Sequence, residues 1–77
     1  MVQRWLRWYQ YDVDALIGEV QLHEFDLPTL QRVVGAPPND LLYDCWPVPL
    51  DRLPELAVFG AVPVGSERYA YFLEAEE

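Results

Sequence analysis

The sequence predicts an α+β fold: a two-layer sandwich in the order β-β-α-β-α-β, with a mostly antiparallel sheet and two short helices on one face. Three observations lead there. The run Arg4-Trp5-Leu6-Arg7-Trp8-Tyr9-Gln10-Tyr11 is aromatic-rich, suits a pleated strand and holds no breaker. Between Asp26 and Gly35, apolar residues recur at helical spacing between a capping residue and a stop. The segment Arg68 to Ala75 is again aromatic on alternate positions, with a second apolar set between them.

Strand one is expected over Val2–Tyr11. Alternation places Trp5, Arg7, Tyr9 and Tyr11 on one face and Arg4, Leu6, Trp8 and Gln10 on the other. A simple two-layer domain buries only one sheet face. Either both faces are covered within the chain, or one is left for a partner. A chain this short favours the partner. Asp12-Val13-Asp14 then turns the chain, because Asp side chains bond the backbone two residues on. Leu16 to Leu22 returns antiparallel, with Leu16, Gly18, Val20 and Leu22 as its expected core face. Gly18 marks a bulge or leaves room for a Trp8 or Trp5 ring.

His23-Glu24-Phe25 links to a helix with Asp26 as N-cap and Pro28 in its first turn. Leu27, Leu30, Val33 and Val34 form its apolar face, and Gly35 followed by Pro37 and Pro38 ends it. Pro37 to Asp40 is a loop. A short edge strand is expected over Tyr43–Trp46, where the nearby prolines are tolerated. Asp51 is expected to cap a second helix reaching Phe59, with Leu53, Leu56, Ala57 and Phe59 inward and Gly60 as its end. After the connector 61–67, the last strand runs Arg68–Ala75. It carries Tyr69, Tyr71 and Leu73 on one face and Ala70 and Phe72 on the other. Strands apolar on both faces belong in the middle of a sheet, so the first and last strands are placed there.

The 77 residues form one domain, 1–77. Stability on the order of 3–5 kcal/mol is expected for a core of this size. Cys45 is the lone cysteine, which excludes an internal disulfide and fits the reducing cytoplasm. Arg4 and Arg7 interrupt any apolar leader, so no signal peptide is expected, and no stretch is long enough to span a membrane.

Thirteen acids face five bases, all arginine, for a net charge of −8. The excess is −2 over residues 1–32 and −6 over residues 33–77. Such a field repels nucleic acid and anionic lipid and speeds encounter with a basic protein; it also keeps a half-apolar chain soluble. Neither nucleic acid nor membrane is expected as a partner.

Catalytic chemistry finds little support. His23 stands between carboxylates on a linker with no second histidine, and a metal site needs three or four converging ligands. It is read as a solvated linker residue. Cys45 beside Asp44 would be a poor thiolate, and it is read as structural and partly buried. Ser66 has no visible triad partner, and the glycines are scattered singly. The chain is expected to be no enzyme and to need no cofactor. Protein interfaces favour Trp, Tyr and Arg, the residues of the first strand. At least half of the aromatics are expected in the core and the rest in an exposed patch. The candidate partner-binding residues are Asp40, Asp44 and Glu74 for charge and Tyr43 and Trp46 as anchors.

One succession of residues carries a family likeness. The aromatic first strand is followed by Asp26-Leu27-Pro28-Thr29-Leu30, then Gly35-Ala36-Pro37-Pro38-Asn39-Asp40. Tyr43-Asp44 with Pro47-Val48 comes next, then Tyr69-Ala70-Tyr71-Phe72-Leu73-Glu74. The pattern resembles small acidic bacterial proteins of unknown function and, more loosely, immunity proteins that neutralise bacterial toxins. The resemblance implies an inhibitor of a cognate toxin, often encoded beside it. Its motifs are caps, turns and strand residues, and they carry no catalytic signature. The acidic charge favours a nuclease as the target, because nuclease clefts are basic to hold phosphate. The alternative is a homodimeric structural or accessory domain joined through the two-faced first strand.

Overall fold

The computed structural model describes residues 2–77. Strands β1 (Gln3–Gln10) and β2 (Leu16–Leu22) form the first hairpin, and helix α1 (Leu27–Val34) follows. Strand β3 (Trp46–Pro47), a 3-10 helix (Leu50–Leu56) and strand β4 (Tyr69–Glu76) complete the chain. The sheet order is β2-β1-β4-β3, with every pair antiparallel. The two strands with apolar residues on both faces are the central pair, as their composition predicts.

One sheet face carries the core. Leu6 pairs with Leu73 and Val20, Trp8 with Tyr71 and Gly18, and Arg4 with Leu22 and Ala75. Leu6, Leu22, Tyr71 and Leu73 are buried there against Leu30 and Val33 of α1 and Leu53 and Leu56 of the 3-10 helix. Both helices therefore cover the same face. Among the described residues, no helix is long and apolar enough to cross a membrane.

The hairpin turns through Tyr11–Asp14, closed by the Gln10 and Asp14 N–H groups on Ala15 and Gln10 carbonyls, both at 3.0 Å. Asp14 takes φ 52°, a left-handed conformation that Asp tolerates. Pairing passes from Trp8–Gly18 to Tyr9–Leu16, so Ile17 is an extra residue in β2. This bulge turns Leu16 across to the Tyr9 face and corrects its expected place among the core residues. Gly18 does lie under the Trp8 ring.

Helix α1 has the expected ends. Asp26 accepts hydrogen bonds from the Thr29 N–H at 2.8 Å and the Thr29 hydroxyl at 2.6 Å. These bonds hold its carboxyl below the usual range. Gly35 closes the helix at φ 75°.

The second helix differs from expectation. It is a 3-10 helix, with Pro49 at its N-cap position and no side-chain cap; Asp51 lies inside the first turn. Pro54 supplies the reason. It has no N–H for an α-type bond, and its ring would meet the carbonyl four residues back. The N–H groups of Arg52, Ala57 and Phe59 bond three residues back, to Pro49, Pro54 and Leu56. A repeat of three residues per turn keeps Leu53, Leu56 and Phe59 in line and buried, and turns Ala57 out to solvent.

The edge strand also moves. Trp46 and Pro47 pair with β4 opposite Leu73 and Phe72, and the Val48 N–H donates to the Tyr71 carbonyl at 2.8 Å. The expected residues Tyr43 to Cys45 instead belong to a loop wrapped around Arg4. Leu42 is left-handed at φ 58°, and its N–H donates to Asp40 Oδ1 at 2.8 Å. The Arg4 guanidinium donates to the Leu42 carbonyl and, at 2.8 Å, to the Leu41 carbonyl.

Candidate functional site

The second sheet face has no helical layer over it. β1 sends Trp5, Arg7 and Tyr9 there, β4 sends Ala70, Phe72, Glu74 and Glu76, and β2 sends Glu19 and Gln21. Trp5 stands opposite Glu74 and Gln21, and Arg7 opposite Phe72 and Glu19. Cross-strand neighbours of this kind interact directly.

Arg7 is the hub. Its Nε donates to Glu19 at 2.7 Å, Nη1 to Glu74 at 3.1 Å and Nη2 to Glu76 at 2.6 Å. Its guanidinium also lies over the Trp5 ring, 4.9 Å from the centroid. Desolvation works against the Arg7 charge, but the bonds to Glu76, Glu19 and Glu74 outweigh it and hold its pKa above the ordinary value. Three carboxylates share this one guanidinium, so the cluster keeps two surplus negative charges.

Tyr9 extends the network. Its hydroxyl donates to Glu74 Oε2 at 2.7 Å, and its ring meets Phe72 edge-on at 5.9 Å. The bond to Glu74, followed by desolvation, pushes the Tyr9 phenol up to about 12. Cys45 directs its thiol at the same Glu74 oxygen, 3.7 Å away. Desolvation first, and the Glu74 charge second, raise that thiol, so it is a weak nucleophile at neutral pH. Cys45 is exposed, not partly buried as expected for a structural cysteine.

Between Tyr9, Tyr11, Phe72, Cys45, Asp14 and Glu74 lies a shallow groove of about 410 Å³. Its floor is aromatic and its rim carries carboxylates. A hollow at the hairpin end, about 460 Å³ and lined by Gln10, Tyr11, Asp12, Arg68 and Tyr69, contains its own arginine. No group of three or more His, Cys, Asp and Glu side chains is arranged to hold a metal ion among the described residues. His23 is exposed on its linker.

Of the residues read from sequence as partner-binding, Glu74 sits at the centre of this face. The others lie elsewhere. Trp46 pairs with Leu73 and packs on the core side, with its indole N–H lacking an acceptor among the described residues. Asp40 is spent on the backbone of Leu42, and its own carbonyl accepts from Gln31 at 2.7 Å. Tyr43 is 61% exposed and lies over the Arg4 guanidinium, 5.4 Å from ring centroid to cation. It borders a separate hollow of about 400 Å³ with Val2, Ala75, Glu76 and Glu77. Asp44 is exposed beside it.

Sequence reading placed Arg7, Tyr9 and Tyr11 together on one face of a first strand read as interface-like but did not count them, or Phe72, among the partner-binding residues. The parity signal that finds the three aromatics was present in both central strands. Of the eleven aromatics, six lie in the core or pack on it, leaving Trp5, Tyr9, Tyr11, Tyr43 and Phe72. Four of those five belong to β1, β4 and the turn after β1.

The Tyr9–Glu74 bond has a pH signature. A phenol whose folded pKa is raised stabilises the fold fully below its unfolded value, near 10, and loses that contribution as pH rises through about 12. Alkaline spectrophotometric titration should show one phenolate forming late, and Tyr9→Phe should remove that late step. A titration curve left unchanged by Tyr9→Phe would mean that the bond is absent in solution.

No curated protein and no solved structure matches the chain. A family model spans residues 3–74, from the first residue of β1 to the carboxylate at the centre of the outer face, and the chain belongs to the family described as "Domain of unknown function (DUF7683)".

Proposed function

We propose that the chain is a protein-binding module of the toxin-neutralising immunity type, acting in the cytoplasm on a basic partner, with a nuclease domain as the favoured target. The observation that carries this reading is the sheet face with no helix over it: Trp5, Tyr9 and Phe72, all half-buried, stand on the two central strands and are ringed by Glu19, Glu74 and Glu76. Rigid aromatics make good anchors because little conformational entropy is lost when they are covered. The carboxylates around them would stand where a nuclease cleft expects phosphate. Strands pinned by cross-strand pairs suit a blocking surface better than a mobile loop does.

The test is to read the gene beside this chain and, where it encodes a basic toxin-like domain, to assay that domain's inhibition by the chain; a neighbour with no such domain counts against the reading. One equivalent should abolish the domain's nuclease activity. The association rate should fall by about tenfold or more between low and physiological salt. Full nuclease activity in the presence of excess chain would reject the reading.

A second reading rests on the sheet edge. β2 is a seven-residue edge strand with neither proline nor lysine, and Leu16 and Ile17 are 50% and 44% exposed. The Ile17 bulge and Glu19 guard this edge in part, and the exposed Leu16 and Ile17 mark where another strand would pair. A homodimer through this edge would appear in light scattering as a doubled mass at high concentration. A monomer there would exclude it.

A further inference from the structure

The proposed binding role leaves open what the partner inserts, and the groove beside Tyr9 is specific enough to answer. We infer that this groove receives an arginine side chain of the partner. The inference rests on the protein-binding reading above.

Three features converge on a guanidinium. The first is the aromatic floor. Tyr9 and Phe72 meet edge to face, and Tyr11, 64% exposed, completes the wall. A planar, weakly hydrated cation stacks on such rings more favourably than an ammonium does. The second is acceptor placement. Glu74 lies at one end of the groove and Asp14 at the other. Glu74 already takes Arg7, Tyr9 and Cys45, whereas the Asp14 carboxylate accepts no hydrogen bond among the described residues. A forked donor with five N–H groups can lie across the rings and reach Asp14 at the rim.

The third feature is charge balance. No cation lines the groove, and the adjoining Arg7 cluster carries two surplus negative charges. Three of the chain's five arginines are committed elsewhere, Arg4 to backbone carbonyls, Arg7 to three glutamates and Arg52 to Glu55, while Arg68 lines the neighbouring hollow beyond Gln10 and Tyr11 and not the groove itself. An anionic or purely apolar guest would leave this charge uncompensated once water is displaced. A partner arginine compensates it.

The experiment uses the full chain and three blocked tripeptides, Gly-Xaa-Gly, with Xaa as arginine, lysine or citrulline. Binding is followed by NMR on the ring protons of Tyr9, Tyr11 and Phe72. The arginine peptide should shift these rings saturably. The lysine peptide should bind about tenfold more weakly, and the neutral, isosteric citrulline peptide should leave the rings unshifted. Asp14→Asn keeps a residue that tolerates the left-handed turn, so the fold should be unchanged while arginine affinity drops about threefold to tenfold. Equal shifts from citrulline or lysine would overturn the inference. So would shifts spread evenly over Asp40, Asp44 and Glu67, or an Asp14→Asn variant binding as tightly as the parent. Loss of the arginine effect with nuclease inhibition intact would remove this inference alone. Failure of nuclease inhibition with the arginine effect intact would remove the inhibitor reading alone.

Discussion

Gly18→Val should leave the chain largely unfolded at room temperature. A Cβ built on Gly18 would lie 2.3 Å and 2.6 Å from Trp8 ring atoms. Real Cβ atoms do not approach carbon that closely, so either the indole or β2 must move. The indole is half-buried, packs on the core and lies 5.9 Å from the Tyr71 ring, centroid to centroid, so moving it disturbs that packing. Overpacking of this kind costs about 1–3 kcal/mol, and a branched side chain lies at or above the top of that range. The whole domain is stabilised by something on the order of 3–5 kcal/mol. Urea denaturation followed by tryptophan fluorescence should therefore show Gly18→Ala with a clearly lowered midpoint and Gly18→Val with almost no folded baseline. Trp8→Leu placed on Gly18→Val should recover part of the loss, because the smaller side chain removes the collision. Parent-like stability in Gly18→Val would show that β1 and β2 do not pair in this register.

That register is what separates the two faces of the sheet, and it explains what could be read in advance. The alternation in β1 and β4 was legible because both strands keep strict parity over eight residues. The caps of α1 were legible because Asp26 and Gly35 act on their immediate neighbours. The bulge at Ile17 was not placed, since an extra residue changes pairing without changing composition. The 3-10 geometry of Leu50–Leu56 hinges on Pro54, which fits the first turn of an α-helix as well as it fits a tighter one. The candidate site was harder still. Glu74 was visible as a charge, but its value lies in Arg7 and Tyr9, some 65 residues away in the chain and adjacent only after β4 pairs with β1. Acidic residues clustered in sequence, such as Asp40 and Asp44, are easier to notice than carboxylates gathered across three strands.

Arg4→Ala should destabilise the domain by about 2–4 kcal/mol and release the loop that carries Tyr43 and Asp44. Arg4 is 5% exposed on the core face of β1, and burial pulls its pKa below the ordinary arginine value, an effect that the neighbouring Tyr43 partly offsets. No carboxylate lies within ion-pair distance of it among the described residues. Its guanidinium is held by the Leu41 and Leu42 carbonyls and by the Tyr43 ring. Those carbonyls come from a strained turn, since Leu42 sits at φ 58° with its side chain buried. Truncation to alanine removes the packing of the long stem, leaves two carbonyls short of a donor and frees the turn to relax. Arg4→Lys is the informative control. It keeps the positive charge but loses the fork that reaches both carbonyls, so it should fall between the parent and Arg4→Ala. Hydrogen exchange should show the Leu42 amide, which donates to Asp40 in the parent, losing protection in both variants well before the β1–β4 amides do. If Arg4→Lys matches the parent in stability and in Leu42 protection, simple charge suffices and the two-carbonyl clamp is not what shapes the loop. If Arg4→Ala disorders residues 41–44 while Cys45 and the rest of the outer-face groove stay in place, binding by the two surfaces can be measured separately. Partner affinity that survives this variant would then assign recognition to the sheet face, and affinity lost with it would assign recognition to Tyr43 and Asp44.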